Sequence, residues 1–464
     1  MNREKKGLPV PHVYVILLTL IAVCSLLSYV IPAGQYDMIT VGSREVVDAS
    51  TYHVVEPTPV TLMQLLSAVP RGMTQSAQII FFIFIVGGAF AILEKSGAIE
   101  AGIGRVCQML KGRTLLLLPV VVLLFSLGGA VFGMSEETIP FIPIFVSLCI
   151  AMGYDSLTGT AIVFCGAAAG YAGAFMNPFT LQVAQGIAGL PILSGMGYRV
   201  LMYVCYVLLT SVFIMVYARG VKRNPEKSPM YAEDSLREDL IDLNNLKPFE
   251  RREKAILGVF AAAIALLVYG VIRWGWYMDE ISALFIGMAI VIAAVARMTP
   301  NEFAVTFGEG MAGIASGALV IGFARGLLVV MTDGNILHTI LHAVASVLGS
   351  LPSLVSALGM YVFQCLLNFL VPSGSGQAAV SIPIMAPLGD LVGVTRQTAC
   401  IAFQLGDAIS NIFTPTSGFF MAGLALAKIP WTKWVKWILP LIGMQYALGA
   451  VFVAIAHLIG LGPF

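Results

Sequence analysis

The chain has 464 residues, 58% hydrophobic and only 11% charged, with a formal net charge of +1 and a mean hydropathy of +0.90. A soluble domain is roughly 45–50% apolar and about 25% charged, so this chain lacks the polar surface a water-soluble fold needs. Its basic residues lie in short segments beside apolar runs, which excludes a nucleic-acid face, and its seven scattered cysteines without a CxxC pair exclude a disulfide framework or a thiolate metal site.

The start, MNREKKG, leads into an apolar run at 13–31 that is long enough to span, and no small-residue cleavage motif follows. It reads as a retained first helix whose Lys/Arg cluster stays in the cytoplasm. Residues 32–57 are polar and read as an external loop with extended structure, and 60–70 as a short amphipathic piece. A second span follows at 78–97. The stretch 98–113, with Arg105, Lys111 and Arg113, is too polar to span and suits an interfacial helix.

LLLLPVVVLLFSLGGAVFG then runs into GMSEET and out through IPFIPIFVSLCIAMG. A continuous span through Glu136 and Glu137 would place two carboxylates in hydrocarbon, so a re-entrant hairpin is expected. A helix at 155–176 meets Asn177-Pro178-Phe179-Thr180 and restarts at 181–190, because proline removes a backbone donor and breaks the helix. Residues 199–219 span again, and the hydrophilic linker 220–254 divides the chain.

Spans at 255–273, 280–297 and 313–332 follow, then an amphipathic segment at 335–349 that reads as a second interfacial helix. LVSALGMYVFQCLLNFLVP, SGSGQ and AAVSIPIMAPLGDLVG form a second hairpin. A helix at 396–413 breaks at Thr414-Pro415-Thr416-Ser417 and resumes at 418–427, before a last span at 434–457.

The two halves match. TP at 58–59 answers 299–300, RGM at 71–73 answers EGM at 309–311, Gly97 answers Gly334, and Asn177-Pro178 answers Thr414-Pro415, with an offset that stays between 237 and 241. Placing the N-terminus, 95–113, 219–254, Arg297 and 428–436 inside collects 20 of the 26 basic residues there and leaves 332–351, which has none, outside. The paired spans 78–97 and 313–332 then run in opposite directions. The expected fold is an all-α polytopic membrane protein of two inverted repeats, each with a re-entrant helical hairpin and a broken transmembrane helix. Its divisions are 1–57 (first span and external loop), 58–219 (first repeat), 220–254 (cytoplasmic linker), 255–298 (connecting spans) and 299–464 (second repeat).

Hairpin tips and breaks are expected to meet near the bilayer midplane, where unpaired backbone groups must be satisfied by ligand, ion or water. The candidate residues are Ser135, Glu136, Glu137 and Thr138 at the first tip, and Ser373, Gly374, Ser375, Gly376 and Gln377 at the second. At the breaks they are Asn177, Pro178, Thr180, Asn411, Thr414, Pro415, Thr416 and Ser417. Ser, Thr and Asn also bond between helices in membranes, so each has a structural reading as well. Glu136, Glu137, Asp407 and Arg325 are ionisable groups in apolar surroundings and mark function by default; the alternative is an Arg325–carboxylate pair that only joins helices. His338 and His342 have i, i+4 spacing without a third ligand in view, so no metal is expected.

FSLGGAVFGMSEE, MNPF with VAQGIAGLP, SGSGQAA and APLGDLVGV resemble the YfcC-like membrane proteins over essentially the whole chain. Those proteins are grouped with the C4-dicarboxylate anaerobic carriers and the arginine/ornithine-type basic amino acid antiporters. The resemblance implies the ion-transporter superfamily fold, with scaffold and transport domains, often dimeric, working by an elevator motion in the bacterial inner membrane. It also implies a site including Ser135, Glu136, Glu137, Asn177, Ser373, Ser375, Gln377, Thr414 and Thr416. Where relatives in the wider superfamily carry Ser-Asn-Thr at the tips, this chain has Ser-Glu-Glu and Ser-Gly-Ser.

Together these features predict a secondary carrier of a small carboxylate-bearing solute, with no cofactor and with Na⁺ or H⁺ as coupling ion. Three acidic groups against one arginine suit a basic amino acid; a C4-dicarboxylate is the alternative. An intramembrane hydrolase using Ser373 or Ser375 with His338 or His342 is the remote third reading, and it lacks the GxSxG elbow.

Overall fold

The computed structural model describes residues 13–41, 44–48, 50–99, 101–102, 105, 114–237, 250–276 and 278–462. Among these, six helices are long and apolar enough to cross a membrane: Ala77–Lys95, Thr114–Phe132, Met196–Arg223, Met278–Ala296, Ser353–Leu370 and Trp431–Leu458. A pair bent by 43°, Pro300–Gly313 with Ala318–Asp333, counts as a seventh if taken as one span. The fold is nearly all helical, as composition requires where backbone polar groups cannot reach water.

The first helix, α1 (Val13–Leu27), is shorter than the expected span and ends in tight turns through Ile31. The loop after it forms two small antiparallel pairs, β1 (Gly34–Gln35) with β4 (His53–Val54) and β2 (Met38–Val41) with β3 (Arg44–Val47). The amphipathic piece is longer than its sequence suggested. As α2 (Leu62–Gln75) it runs to Ser76, where α3 (Ala77–Lys95) begins. Most of the interfacial stretch at 98–113 lies outside the described residues.

The first hairpin is α4 (Thr114–Leu127), a widened turn at Gly128–Phe132, a short 3₁₀ turn at Glu136–Phe141 and α5 (Ile142–Ala151). Phe125 on the way in meets Phe141 and Phe145 on the way out, ring centroids 5.3 and 5.6 Å apart, so the arms face each other. The first broken helix is α6 (Ser156–Ala172) and α7 (Leu181–Ile187), followed by α8 (Met196–Arg223). After the linker, which contains α9 (Tyr231–Ser235), come α10 (Arg251–Tyr269) and α11 (Met278–Ala296).

The second half repeats this order. It comprises α12 (Pro300–Gly313), α13 (Ala315–Asp333), α14 (Leu337–Leu348), the hairpin α15 (Ser353–Leu370) and α16 (Gly374–Val392), the broken helix α17 (Arg396–Ser410) and α18 (Gly418–Leu426), and α19 (Trp431–Leu458). Corresponding elements agree in detail. α2 opens with a capping box between Thr61 and Gln64, and α12 with one between Thr299 and Glu302. α2 packs on α13 and α12 on α3. Both crossings bring backbones together at glycine: a Cβ at Gly72 would stand 2.3 Å from Gly322 O, and one at Gly310 2.6 Å from Gly87 O.

The linker is not a bare connector. Ser228 Oγ donates to Asp155 at 2.6 Å, the Ser156 N–H donates to Asp234 at 2.9 Å, and Lys433 pairs with Glu233. Residues 238–249 lie outside the described set.

The loop after α1 grips α14 through the two histidines. The Tyr36 N–H donates to His338 Nδ1 at 3.2 Å, the Tyr36 hydroxyl lies 3.1 Å from His342 Nδ1, and the Tyr52 ring stacks on His342 with centroids 3.9 Å apart. Burial, with Tyr52 beside it, pushes the Tyr36 phenol up to about 12, so it remains a donor. Among the described residues no group of three or more His, Cys, Asp and Glu is placed to hold a metal ion.

Burial holds the His338 imidazole below its ordinary value of 6.5. Its Nδ1 must be unprotonated to accept from Tyr36, so the grip is complete above that ordinary value and is lost as pH falls through the depressed one. Hydrogen exchange at 34–54, corrected for intrinsic rates, is expected to accelerate between about pH 7.5 and about pH 5. His338→Gln is expected to remove that dependence; an unchanged profile in the native protein would dismiss the grip.

Candidate functional site

At the first tip, the Ser135 N–H donates to Glu137 Oε2 at 3.0 Å, the Ser135 hydroxyl donates to Glu136, and Thr138 Oγ1 donates to Ser135 O at 2.5 Å. Ser-Glu-Glu-Thr thus closes on itself, with Glu137 buried and Glu136 half-buried. At the second tip, Ser373 caps α16 by accepting from the Gly376 N–H at 3.3 Å. Behind it, Gln377 donates to Gln364 Oε1 at 2.7 Å and accepts from Asn368 Nδ2 at 3.1 Å.

Each break must place the carbonyls and amides it frees. At the first, Gln404 Nε2 donates to the carbonyls of Tyr171, Ala172 and Ala174 at 3.1, 3.0 and 3.1 Å. Asn177 Oδ1 accepts the amides of Phe179 and Thr180 at 2.8 and 3.1 Å, and its Nδ2 donates to Gly129 O at 3.1 Å in the hairpin. At the second, Trp434 and Trp431 donate to the carbonyls of Ile412 and Phe413 at 2.8 and 2.9 Å. Asn411 Nδ2 donates to Asp407 Oδ1 at 2.9 Å, and Asn368 Nδ2 donates to the same oxygen at 3.0 Å.

Tips and breaks enclose one cavity of about 320 Å³, at the lower end of the roughly 300–1,000 Å³ of small-molecule sites. Ser135, Glu136, Glu137, Thr180, Ser373, Gly374, Ser375, Asp407, Asn411, Thr416 and Arg325 line it. Thr138, Asn177, Pro178, Gly376, Gln377, Thr414, Pro415 and Ser417 do not; Asn177 and Gln377 instead hold the backbone and side chains around it. Asp407 is 1% exposed, and its second oxygen, Oδ2, faces Gly374 at the start of α16.

Arg325 enters from α13, is exposed, and donates to Gln75 Oε1 at 3.1 Å. No ion pair among the described residues includes it, so the helix-joining salt bridge considered above is not formed. Several buried oxygens around the breaks have no partner among the described residues: Thr180 Oγ1, Asn368 Oδ1, Asn411 Oδ1, Thr414 Oγ1, Thr416 Oγ1 and Ser417 Oγ. His338 and His342 lie away from the cavity, against Tyr36 and Tyr52, so neither meets Ser373 or Ser375 there.

Three buried polar residues fall outside the candidates the sequence offers at its tips and breaks. Asn368 and Gln404 stand in apolar helices, as does Arg199, which is fully buried and bonds to Gln404 and Gln397. Their polarity in a span was the available signal. Gln75, Ser76, Tyr171 and Phe179 also line the cavity, and nothing in their local sequence distinguishes them.

The family model of the C4-dicarboxylate anaerobic carriers (DcuC) matches residues 10–458. The chain belongs to that family. It is a multi-pass membrane transporter, with a small-molecule substrate and the lipid bilayer as its surroundings. Within the family's reach, YfcC of Escherichia coli (strain K12), provisionally named a basic amino acid antiporter, is 36% identical over 97% of both chains. An uncharacterised protein of Haemophilus influenzae is 28% identical over 98% of both. Two solved transporters overlap more loosely. YdaH of Alcanivorax borkumensis has a TM-score of 0.44 at 16% identity over 97% of this chain and 100% of its own. MtrF of Neisseria gonorrhoeae, from a class of antimetabolite efflux pumps, has 0.45 at 20% over 97% and 96%. At those scores the likeness carries nothing further about this carrier.

Gly374 is where the second tip touches both the first break and Asp407. A Cβ there would stand 2.5 Å from Thr180 Cγ2 and 3.2 Å from Asp407 Oδ2. Gly374→Ala is expected to fold and insert but to weaken ligand binding by about 1–3 kcal/mol, the usual scale of overpacking. Native affinity in the purified variant would show that the tip has room to spare.

Proposed function

We propose that this carrier moves a basic amino acid across the bacterial inner membrane, alone or in exchange. One observation carries the reading: the same cavity faces Glu136, Glu137 and Asp407 but a single arginine, Arg325, which has no carboxylate partner among the described residues. A zwitterionic head group would place its carboxylate on Arg325 and its distal cation on Asp407 Oδ2, with the starts of α16 and α18 adding helix-end amides. The provisional name of the 36% identical relative agrees with this choice. A C4-dicarboxylate is the second reading, supported by the unpaired Arg325 and by the description of the matching family.

Either solute would be driven by Na⁺ or H⁺. The unpartnered oxygens of Asn411, Thr414, Thr416 and Ser417 suit a sodium ion, and the adjacent carboxyls Glu136 and Glu137 suit a proton. The matched capping boxes, the reciprocal packing of α2 on α13 and α12 on α3, and the basic-residue distribution support inverted repeats with the N-terminus inside. An elevator motion of hairpins and broken helices against the remaining spans follows from that arrangement.

Two measurements test these readings. A cysteine at the exposed Ser350 is expected to react with an impermeant reagent from outside intact cells; reaction only after lysis would reverse the topology. Uptake by purified protein in liposomes, across basic and neutral amino acids and dicarboxylates with imposed Na⁺ and H⁺ gradients, tests the solute and the ion. In that assay Asp407→Asn is expected to lose a basic amino acid far more than a neutral analogue of equal length, because losing one partner of a buried charge pair costs about 3–5 kcal/mol. With a dicarboxylate substrate the same change removes a repulsion and leaves uptake intact or improved. Equal loss of charged and neutral solutes would return Asp407 to the ion or the fold.

A further inference from the structure

The two broken helices end alike but are finished by different parts of the chain. α7 closes at Ala188 and α18 at Ala427, and each of these last carbonyls receives an arginine. Arg396 Nη1 donates to Ala188 O and Arg237 Nη2 donates to Ala427 O, both at 2.6 Å. Each guanidinium is held by an aspartate in turn, Asp390 at 2.7 Å and Asp234 at 2.8 Å. Arg396 is the first residue of α17, so the second repeat supplies the stop for the first broken helix. The matching helix start, α6, opens on Asp155 and Ser156 and carries no arginine. Arg237 takes that place from the linker.

The linker contact is the more enclosed of the two. The side chains of Arg237 and Asp234 are 6% and 10% exposed, against 39% and 48% for Arg396 and Asp390. Asp234 also accepts the Ser156 N–H at 2.9 Å, so one short segment holds the start of the first broken helix and the end of the second. A guanidinium at a helix C-terminus satisfies an orphan carbonyl and opposes the negative end of the helix dipole. The far end of α18, at Gly418 and Phe419, lines the cavity.

We propose that residues 224–237 are a strap belonging to the site-bearing body, and that Arg237 is a positioning residue for transport, acting on the cavity through α18. This rests on the carrier reading. A segment bonded to α6, to α18 and, through Glu233 and Lys433, to the first turn of α19 travels with them rather than with the surrounding spans.

In a background without native cysteines, Glu233→Cys and Lys433→Cys joined by a short reducible cross-linker are expected to leave uptake in liposomes within about twofold of the unlinked protein, because contacts inside one rigid body are not broken in the cycle. Arrest on cross-linking, reversed by reductant, would overturn the proposal. Arg237→Ala is expected to speed hydrogen exchange across 418–426 but not across 181–187, and Arg396→Ala to do the converse. The KM of Arg237→Ala for the transported solute is expected to rise roughly tenfold, as for loss of one charge-assisted hydrogen bond, with Arg237→Lys recovering most of it. Unchanged exchange and unchanged KM would remove Arg237 from the role. Exchange needs no solute, and the cross-linked protein keeps its native arginine. A failure of the carrier reading, seen as no uptake by the wild type, is therefore distinct from failure here.

Discussion

Gln404 and Asp407 stand one turn apart on α17, and between them they hold both interruptions of the helical fold. Gln404 takes three carbonyls freed where α6 stops, while Asp407 takes the amides of Asn368 from the second hairpin and Asn411 from the second break. In hydrocarbon each unmet backbone group would cost several kcal/mol, about the net stability margin of many domains when a few are summed. Interrupted helices are possible here because polar side chains reach the groups they free: at the first break from α17, itself the first half of the second broken helix, and at the second from Trp431 and Trp434 of α19. α17 is buried from Gln397 to Ser410, so its amides have nowhere else to turn.

The arrangement of the cavity follows from this constraint. Once Gln404 fixes the end of α6, Tyr171 is placed to donate its hydroxyl to Gly133 O, and Asn177 to donate to Gly129 O, which ties the first tip to the first break. Once Asp407 Oδ1 is occupied by two amides, Oδ2 is the oxygen left facing Gly374. The hydroxyls of Thr180 and Thr416, which have no partner among the described residues, belong to side chains that also line the cavity. What remains unsatisfied after the protein has met its own needs is what a solute or ion can use.

Much of this was legible in the sequence, for a physical reason. Proline at 178 and 415, and paired glutamates between apolar arms, are expensive in hydrocarbon, so their presence announces a break or a tip. The offset between halves then places the elements. Amides announce themselves less loudly: a lone Gln404 or Asn368 in a span reads as an ordinary interhelical contact until its partners are known. The linker was misleading in the opposite sense. Its charges suggested solvent, yet Asp234 and Arg237 are turned inward onto backbone groups of α6 and α18, partners nearly eighty to two hundred residues away that no local pattern reveals.

The sequence matches between the halves do not extend to their charges. With an offset of 237–241, Asp407 corresponds to the all-small stretch 166–170, Arg325 to the apolar stretch 84–88, and Glu136 and Glu137 to uncharged residues of the second tip. All four charged groups nonetheless face one cavity. The matched capping boxes, crossings and breaks therefore belong to the frame, and the charges that face the cavity do not share that match. A solute held in this cavity meets acid from the first tip and the second broken helix, and base only from α13. α13, which carries Arg325 to the cavity, packs on α2 and also on α18, so the one basic group there is held between the amphipathic helix of the first half and the resumed end of the second broken helix.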